Sequence, residues 1–333
     1  MSKQREPLKH ILSLLARLGF SAALLTYLFK KIDIHHIVAA LRQADLSVLG
    51  SAAAVFFIIH MIILIRWMIF MKALDLQLPL KEIISYFFIG LFFNLFLPSS
   101  TGGDLMKGIG LCQYTPAKAK VVASIVLDRL SGFAGIVLVA LAAYLCGFQL
   151  IRDWPLLWAI LFLGGVVLGI LFVLLNEKVY SFGCRAFSRL PKVQQALMSL
   201  HYDLALLKNK RSAFYQGVAV SCLSQTLLAL TFYLVARALH QNIAFVHFLI
   251  FVPIICVVAS LPSIGGLGVR DAGAVYLLGK VGVAAATAVS ISLINFFFMV
   301  AMGLLGGLVC VTHVSPGRVQ YHRPHSSVGA KVT

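Results

Sequence analysis

Asp128 and Arg129 are adjacent ionisable residues set about ten positions into an apolar run from about Ala119 to Cys146. At 1.5 Å of rise per residue that is a depth of roughly 15 Å. Ionised side chains are costly in hydrocarbon and mark function unless they pair with one another. Neighbouring positions point about 100° apart on a helix, so these two are expected to meet different partners. Arg129 suits a headgroup site, and Asp128 suits holding another cation or relaying a proton. The alternative is an ion network that only joins helices. Two further charged pairs follow chain breaks: Asp104 and Lys107 after Leu97-Pro98-Ser99 and Gly102-Gly103, Arg270 and Asp271 after Leu261-Pro262-Ser263 and Gly265-Gly266.

Each break leaves backbone amides unsatisfied at the start of the arm that follows it. Those amides and the helix dipole favour an anion such as a phosphate, and the glycines permit close backbone approach. Arginine can grip phosphate oxygens through its planar fork. A plain turn or tight helix packing is the alternative for the glycines, and internal pairing that orders the hairpin is the alternative for the charges. Arg66-Trp67 near the end of another apolar run suits a site residue, or else a snorkelling cation with an interfacial aromatic. His60 and Asn295 are lone polar groups expected to bond within the core. The His322-Arg323-Pro324-His325 stretch is assigned no function.

These residues must be positioned by membrane helices. Hydrophobic residues make up 60% of the chain and charged ones only 12%, with a mean hydropathy of +0.95, whereas soluble domains carry about 25% charged residues. Several runs exceed the 18 or so apolar residues that span a bilayer, and no alternating pattern suggests an outer-membrane barrel. The class is all-α and polytopic. Expected spans run from about Ile11 to Phe29, Leu46 to Met71, Ala119 to Cys146, Pro155 to Leu175, Phe214 to Ala236 and Val283 to Val311. Ile34 to Leu41 is expected on the membrane surface, and the N-terminal helix is expected to be retained rather than cleaved. Residues 83–114 and 246–279 are the two broken segments.

The motifs Leu97-Pro98-Ser99 and Leu261-Pro262-Ser263 lie 164 residues apart, and the spans around them recur in the same order. Residues 1–146 and 147–311 therefore form two repeats, with 312–333 as a polar tail. The net charge of +17 is concentrated in the N-terminal tail, the 178–211 loop and the C-terminal tail. That distribution suits a cytoplasmic face against anionic lipid, not a nucleic-acid partner. If both broken segments dip in and return, every basic loop and both termini fall inside and the repeats are inverted. The expected architecture is thus six full spans plus two re-entrant hairpins, of the kind that places a transport site near the midplane. The rival is eight or more full spans.

The six cysteines are scattered singly, with no CxxC spacing, and read as small apolar core residues rather than metal ligands or disulfide partners. No P-loop, HExxH or G-x-S-x-G motif occurs, carboxylates total 11, and no cofactor or metal is expected.

Together, Arg66-Trp67, Asn94-Leu95-Phe96-Leu97-Pro98 with Gly102-Gly103-Asp104, Leu127-Asp128-Arg129-Leu130, and the run from Leu261 to Asp271 resemble the lysylphosphatidylglycerol synthase transmembrane-region family. This flippase-like domain also forms the N-terminal part of the bacterial multiple peptide resistance factor. The resemblance covers nearly the whole chain. It implies translocation of a polar-headed lipid such as lysyl-phosphatidylglycerol between leaflets, with Arg66, Asp104, Asp128, Arg129, Arg270 and Asp271 at the site. Family members commonly carry Arg where Lys107 stands and Glu where Asp271 stands; both changes keep charge and alter reach. The stretch after the last span is too short for the family's soluble aminoacyl-transfer domain, so synthase activity is not expected.

The expected function is a flippase-like translocator in a bacterial inner membrane, with membrane lipids as partners and a homo-oligomer allowed. Its site would combine Arg66, Asn94, Ser99, Gly102, Gly103, Asp104, Lys107, Asp128, Arg129, Ser263, Gly265, Gly266, Arg270 and Asp271. A secondary transporter of a small anion, a membrane enzyme acting on lipid headgroups and a non-transporting assembly partner are the alternatives.

Overall fold

A computed structural model describes residues 44–96, 102–147, 154–175, 210–259 and 268–313. The expected first helix, the surface segment, most of the 178–211 loop, the tail, and Ser99, Ser263, Gly265 and Gly266 lie outside the described residues. Among the described residues there are nine helices and no strand. They are α1 (Leu46–Ala73), α2 (Leu80–Phe96), α3 (Gly102–Leu111), α4 (Lys118–Cys146), α5 (Trp154–Leu175), α6 (Arg211–Ala238), α7 (Phe245–Ala259), α8 (Val269–Gly279) and α9 (Ala285–His313).

Four of these are long and apolar enough to cross a membrane: α1, α4, α6 and α9. Helices satisfy every internal amide, which is what hydrocarbon demands of a spanning segment. Asp45 starts α1 by accepting from the amides of Ser47 and Val48, and its own amide donates to the Ala238 carbonyl, tying the start of α1 to the end of α6. The arms of the broken segments are shorter. α2 has 17 residues and α3 has 10; α7 has 15 and α8 has 11. At 1.5 Å per residue none exceeds about 26 Å, short of a bilayer core of about 30 Å.

Small residues set the helix spacing. A Cβ on Gly217 of α6 would come within 2.2 Å of the Phe70 ring of α1, and one on Gly135 of α4 would lie 2.6 Å from Ser221 Cβ of α6. On α9, a Cβ at Gly306 would meet the Phe88 carbonyl of α2 at 2.0 Å, and Gly303 accommodates Leu95. Lipid tails are as apolar as leucine, so such close van der Waals contact holds membrane helices together.

The contacts also fix direction. Arg66–Ser221 and Phe70–Gly217 run in opposite order, making α1 antiparallel to α6. In the first broken segment Asn94 meets Gly103, Gly90 meets Lys107 and Tyr86 meets Gly110, so α2 and α3 lie side by side and antiparallel. This hairpin opens toward the end where α4 begins and α9 finishes. Val246, at the start of α7, touches Gly147 just beyond α4, so the α7–α8 pair opens toward the other end. Packing repeats in kind as well: α2 lies on α9 as α7 lies on α4, α3 meets α4 as α8 meets α9, and α1 faces α6.

Candidate functional site

Arg66 projects from α1 into the bundle, where its side chain is only 8% exposed. Its Nε donates to Asp128 Oδ1 of α4 at 2.7 Å, and its Nη1 donates to Ser221 Oγ of α6 at 3.0 Å. The Ser221 hydroxyl itself donates to the Gly217 carbonyl at 2.7 Å, so its oxygen serves Arg66 as an acceptor. Gly132, one turn beyond Asp128, makes room for the guanidinium: a Cβ there would lie 3.3 Å from Nη1. Arg66 is therefore a buried ion-pair partner and not a snorkelling cation. Trp67 is likewise buried rather than interfacial, with Nε1 donating to Ser124 Oγ at 3.3 Å.

Arg129 points away from Asp128, as adjacent helical positions must, and its Nε donates to Asp104 Oδ2 of α3. Asp104 also holds Lys107 Nζ at 3.3 Å from Oδ1. Lys107 Nζ lies against two neighbouring aromatic faces, 5.1 Å from the Trp67 ring centre and 4.9 Å from that of Phe87. A cation over such rings gains electrostatic stabilisation that grows as water is removed. Asn94 Oδ1 accepts the Gly103 amide at 2.9 Å, satisfying one of the donors that the start of α3 leaves open. Gly103 has to be glycine, because a Cβ would fall 2.1 Å from the Gly90 carbonyl.

Arg270 and Asp271 form a second, smaller group at the start of α8. Arg270 Nε donates to Ser292 Oγ at 2.9 Å, and its Nη2 reaches Asp271 Oδ1 at 3.3 Å. Ser292 donates to the same carboxylate oxygen at 2.5 Å, and Asp271 Oδ2 accepts the Gly268 amide at 2.9 Å. Gly268 adopts φ +82°, a left-handed conformation natural to glycine. The guanidinium also stacks 5.2 Å from the Phe296 ring centre. This group is neutral and closed on itself, and Asp271 is only 1% exposed. It pins α8 to α9.

The expected residues thus separate into two groups. Gly303 packs on Leu95, next to the Asn94–Gly103 bond, and Ser292 lies about 16 Å from Gly303 along α9 at helical rise. Arg66 pairs with Asp128 and Asp104 pairs with Lys107 and Arg129, the two clusters adjoining at positions 128 and 129 of α4, with Asn94 and Gly103 at the start of α3 beside the second. Arg270 and Asp271 stand apart. His60 Nδ1 donates to the Phe56 carbonyl at 2.9 Å, in keeping with a core role. Asn295 donates to the Ile291 carbonyl at 2.9 Å. Cys146 is exposed, unlike the buried position expected of it.

Ser124, Ser221 and Ser292 were not foreseen as site residues, nor were Phe87 and Phe296. Hydroxyls are common in membrane helices because they can bond a carbonyl one turn back, so these serines carry no signal until a charged partner from another helix is seen against them.

The fold and this interior of paired ions define a polytopic helical membrane protein with a charged network inside its bundle. A family model of the lysylphosphatidylglycerol synthase transmembrane region matches residues 14–307, and the chain belongs to that family. No curated protein matches the chain.

Proposed function

We propose that this protein is a flippase-like lipid translocator, passing a polar phospholipid headgroup between leaflets while the acyl chains stay in the bilayer. The observation that carries this reading is that α1, α3 and α4 supply two ion clusters inside an apolar bundle, Arg66 with Asp128 and Asp104 with Lys107 and Arg129, which meet at adjacent positions of α4. A purely structural role would be served by neutral packing, since a buried ion pair is often no more stabilising than well-packed apolar residues. Family membership supports a lipid-related role. Oppositely opening hairpins and repeated packing support an inverted repeat with re-entrant segments, six full spans and both termini in the cytoplasm of a bacterial cell. Lipids would be the partners, and the chain would work as a carrier and not as an enzyme.

The second reading, transport of a small soluble anion, would use the same cations. Purified protein in vesicles separates the two when chain-labelled phospholipid and a soluble anion such as phosphate are followed side by side. Lipid exchange between leaflets without solute uptake is the expected result. Solute uptake without lipid exchange would favour the anion carrier, and neither would remove the translocator reading.

A further inference from the structure

One face of α9 is uncovered among the described residues. Phe297, Ala301, Leu304, Leu308 and Val311 recur at spacings of four and three, and the four large ones are 60%, 56%, 66% and 76% exposed. The other faces of α9 are taken: Gly303 and Gly306 by α2, Ser292 and Phe296 by Arg270 of α8, and Phe298 by Phe56 of α1. In α4, which holds the matching place in the first repeat, the equivalent face is covered by α5. Both helices have 29 residues. Val137, the twentieth residue of α4, meets α5 at Gly164, where a Cβ would lie 3.2 Å from it. Leu141 and Tyr144, four and seven residues further on, join Leu156 and Ile160 of α5 in one apolar cluster. Counted the same way along α9, those three positions are Leu304, Leu308 and Val311.

Residues 11–29, outside the described residues, have the length and the entry point to cover this face. They precede α1 as α5 precedes α6, and α1 and α6 face one another. α1 is antiparallel to α4 through Arg66–Asp128 and Trp67–Ser124, so it starts at the end of the bundle where α9 starts. It also lies beside α9, with the Phe56 and Phe298 rings 5.8 Å apart. A helix antiparallel to α9 therefore finishes at the end where α1 begins. The 15 residues from 30 to 44 reach up to about 50 Å, well beyond the roughly 20 Å across two helices.

Shape agrees with that path. Ala16, Gly19, Ala23 and Thr26 recur at spacings of three, four and three, a small-residue face of the kind that lets membrane helices approach closely. With Ile11 level with His313, helical rise puts Gly19 about 12 Å and Leu304 about 14 Å from that end. Glycine then meets the twentieth residue of α9 as Gly164 meets the twentieth of α4.

We propose that residues 11–29 form a helix seated antiparallel on the α9 face of Phe297, Leu304 and Leu308, with Gly19 against Leu304. The first helix of each repeat thus clasps the last span of the other. This seat rests on the inverted-repeat arrangement, and not on what the protein carries across the membrane.

Cysteine pairs in the full chain, with the six native cysteines replaced by alanine, test the seat in vesicles. A protease site in the 178–211 loop parts residue 19 from α9 on cleavage unless a disulfide joins them. Gly19→Cys with Leu304→Cys, and Ala16→Cys with Leu308→Cys, should hold the two fragments together after oxidation, because a disulfide needs Cα atoms within about 7 Å. Gly19→Cys with Leu223→Cys, on an exposed position of α6, should let them part. Thermal stability matching the cysteine-free chain checks that each variant folds. In the chain with its own cysteines, Gly19→Leu should lower the thermal midpoint although leucine favours helix over glycine, whereas Gly165→Leu, with nothing within 4 Å, should not. Fragments that part in both α9 pairs, fragments held equally by the α6 control, or a midpoint unmoved by Gly19→Leu would each overturn the proposal. Bridging found only as a band of doubled mass before cleavage would give the face to a second copy and overturn it too. Leaflet exchange by a chain that does not bridge leaves the translocator reading standing; bridging without exchange removes that reading and keeps the seat.

Discussion

Removing Arg66 should be among the most damaging single changes in the protein, and removing its partner as well should undo most of the damage. In Arg66→Met, the Asp128 carboxylate loses the 2.7 Å bond that offsets its burial. Breaking a buried pair from one side costs about 3–5 kcal/mol, and placing a lone charge in a membrane helix costs about 3 kcal/mol by insertion scales. Asp128→Leu leaves a buried guanidinium with only Ser221 and should cost a similar amount. Arg66→Met/Asp128→Leu leaves no stranded charge, and Ser221 remains satisfied because its hydroxyl already donates to the Gly217 carbonyl. The double variant should therefore lie within about 2 kcal/mol of wild type, giving a coupling of several kcal/mol in the cycle. Reversible unfolding of reconstituted protein, followed by helical circular dichroism in mixed micelles of increasing denaturing detergent, measures all four corners. Additive losses, with a coupling under about 0.5 kcal/mol, would show that the two charges do not depend on one another and would rule out a buried Arg66–Asp128 pair.

Three other expectations are independent of that cycle. Gly306→Ala should lose about 1–3 kcal/mol through overpacking, because its Cβ would sit 2.0 Å from the Phe88 carbonyl; Gly165→Ala, where nothing lies within 4 Å, should be neutral in the same unfolding assay, and equal effects would contradict the α2–α9 packing. Ser292→Ala should cost about 1–3 kcal/mol by leaving buried Arg270 and Asp271 groups less satisfied, without altering leaflet exchange by the folded fraction; lost exchange with unchanged stability would instead place this group in the transport site. Outside the membrane segments, hydrogen bonding from Lys210 at 2.8 and 2.9 Å holds the Asp75 carboxyl below the usual carboxylate range. A depressed folded value means the contact contributes above the unfolded value and is lost as pH falls through the folded one. Carbon NMR of Asp75 should show that low midpoint, and Lys210→Met should return it to the ordinary range; a midpoint indifferent to the variant would contradict the pairing.

Much of this was legible in the residues. Long apolar runs announce helices because hydrocarbon leaves the backbone little choice, and charges inside such runs stand out because they are costly there. Divergence of Asp128 and Arg129 to different partners followed from helical angle alone. What could not be read was who meets whom. Arg66 and Asp128 lie 62 positions apart, and Arg66 and Ser221 lie 155 apart; pairing across that distance depends on which small residues let helices approach. Only the assembled bundle shows that Gly132 yields space to a guanidinium and Gly135 to α6. Arg66-Trp67 had two readings because an arginine near a helix end next to tryptophan is equally at home at an interface. Burial decided between them. Arg270 and Asp271 recur at the place in the second repeat that Asp104 and Lys107 occupy in the first, yet Ser292 closes them into a neutral group. Sequence symmetry did not carry over into equal arrangements.

Leaflet exchange of chain-labelled phospholipid in vesicles, measured by a membrane-impermeant quencher for wild type, Arg129→Gln and Gly165→Ala at equal reconstitution, tests headgroup passage most directly. Wild type and Gly165→Ala should expose inner-leaflet label to the quencher at matching rates, and folded Arg129→Gln should slow that exposure about tenfold or more. Rates for wild type no higher than in protein-free vesicles, or an Arg129→Gln rate equal to wild type, would contradict the claim that the charged network carries lipid headgroups.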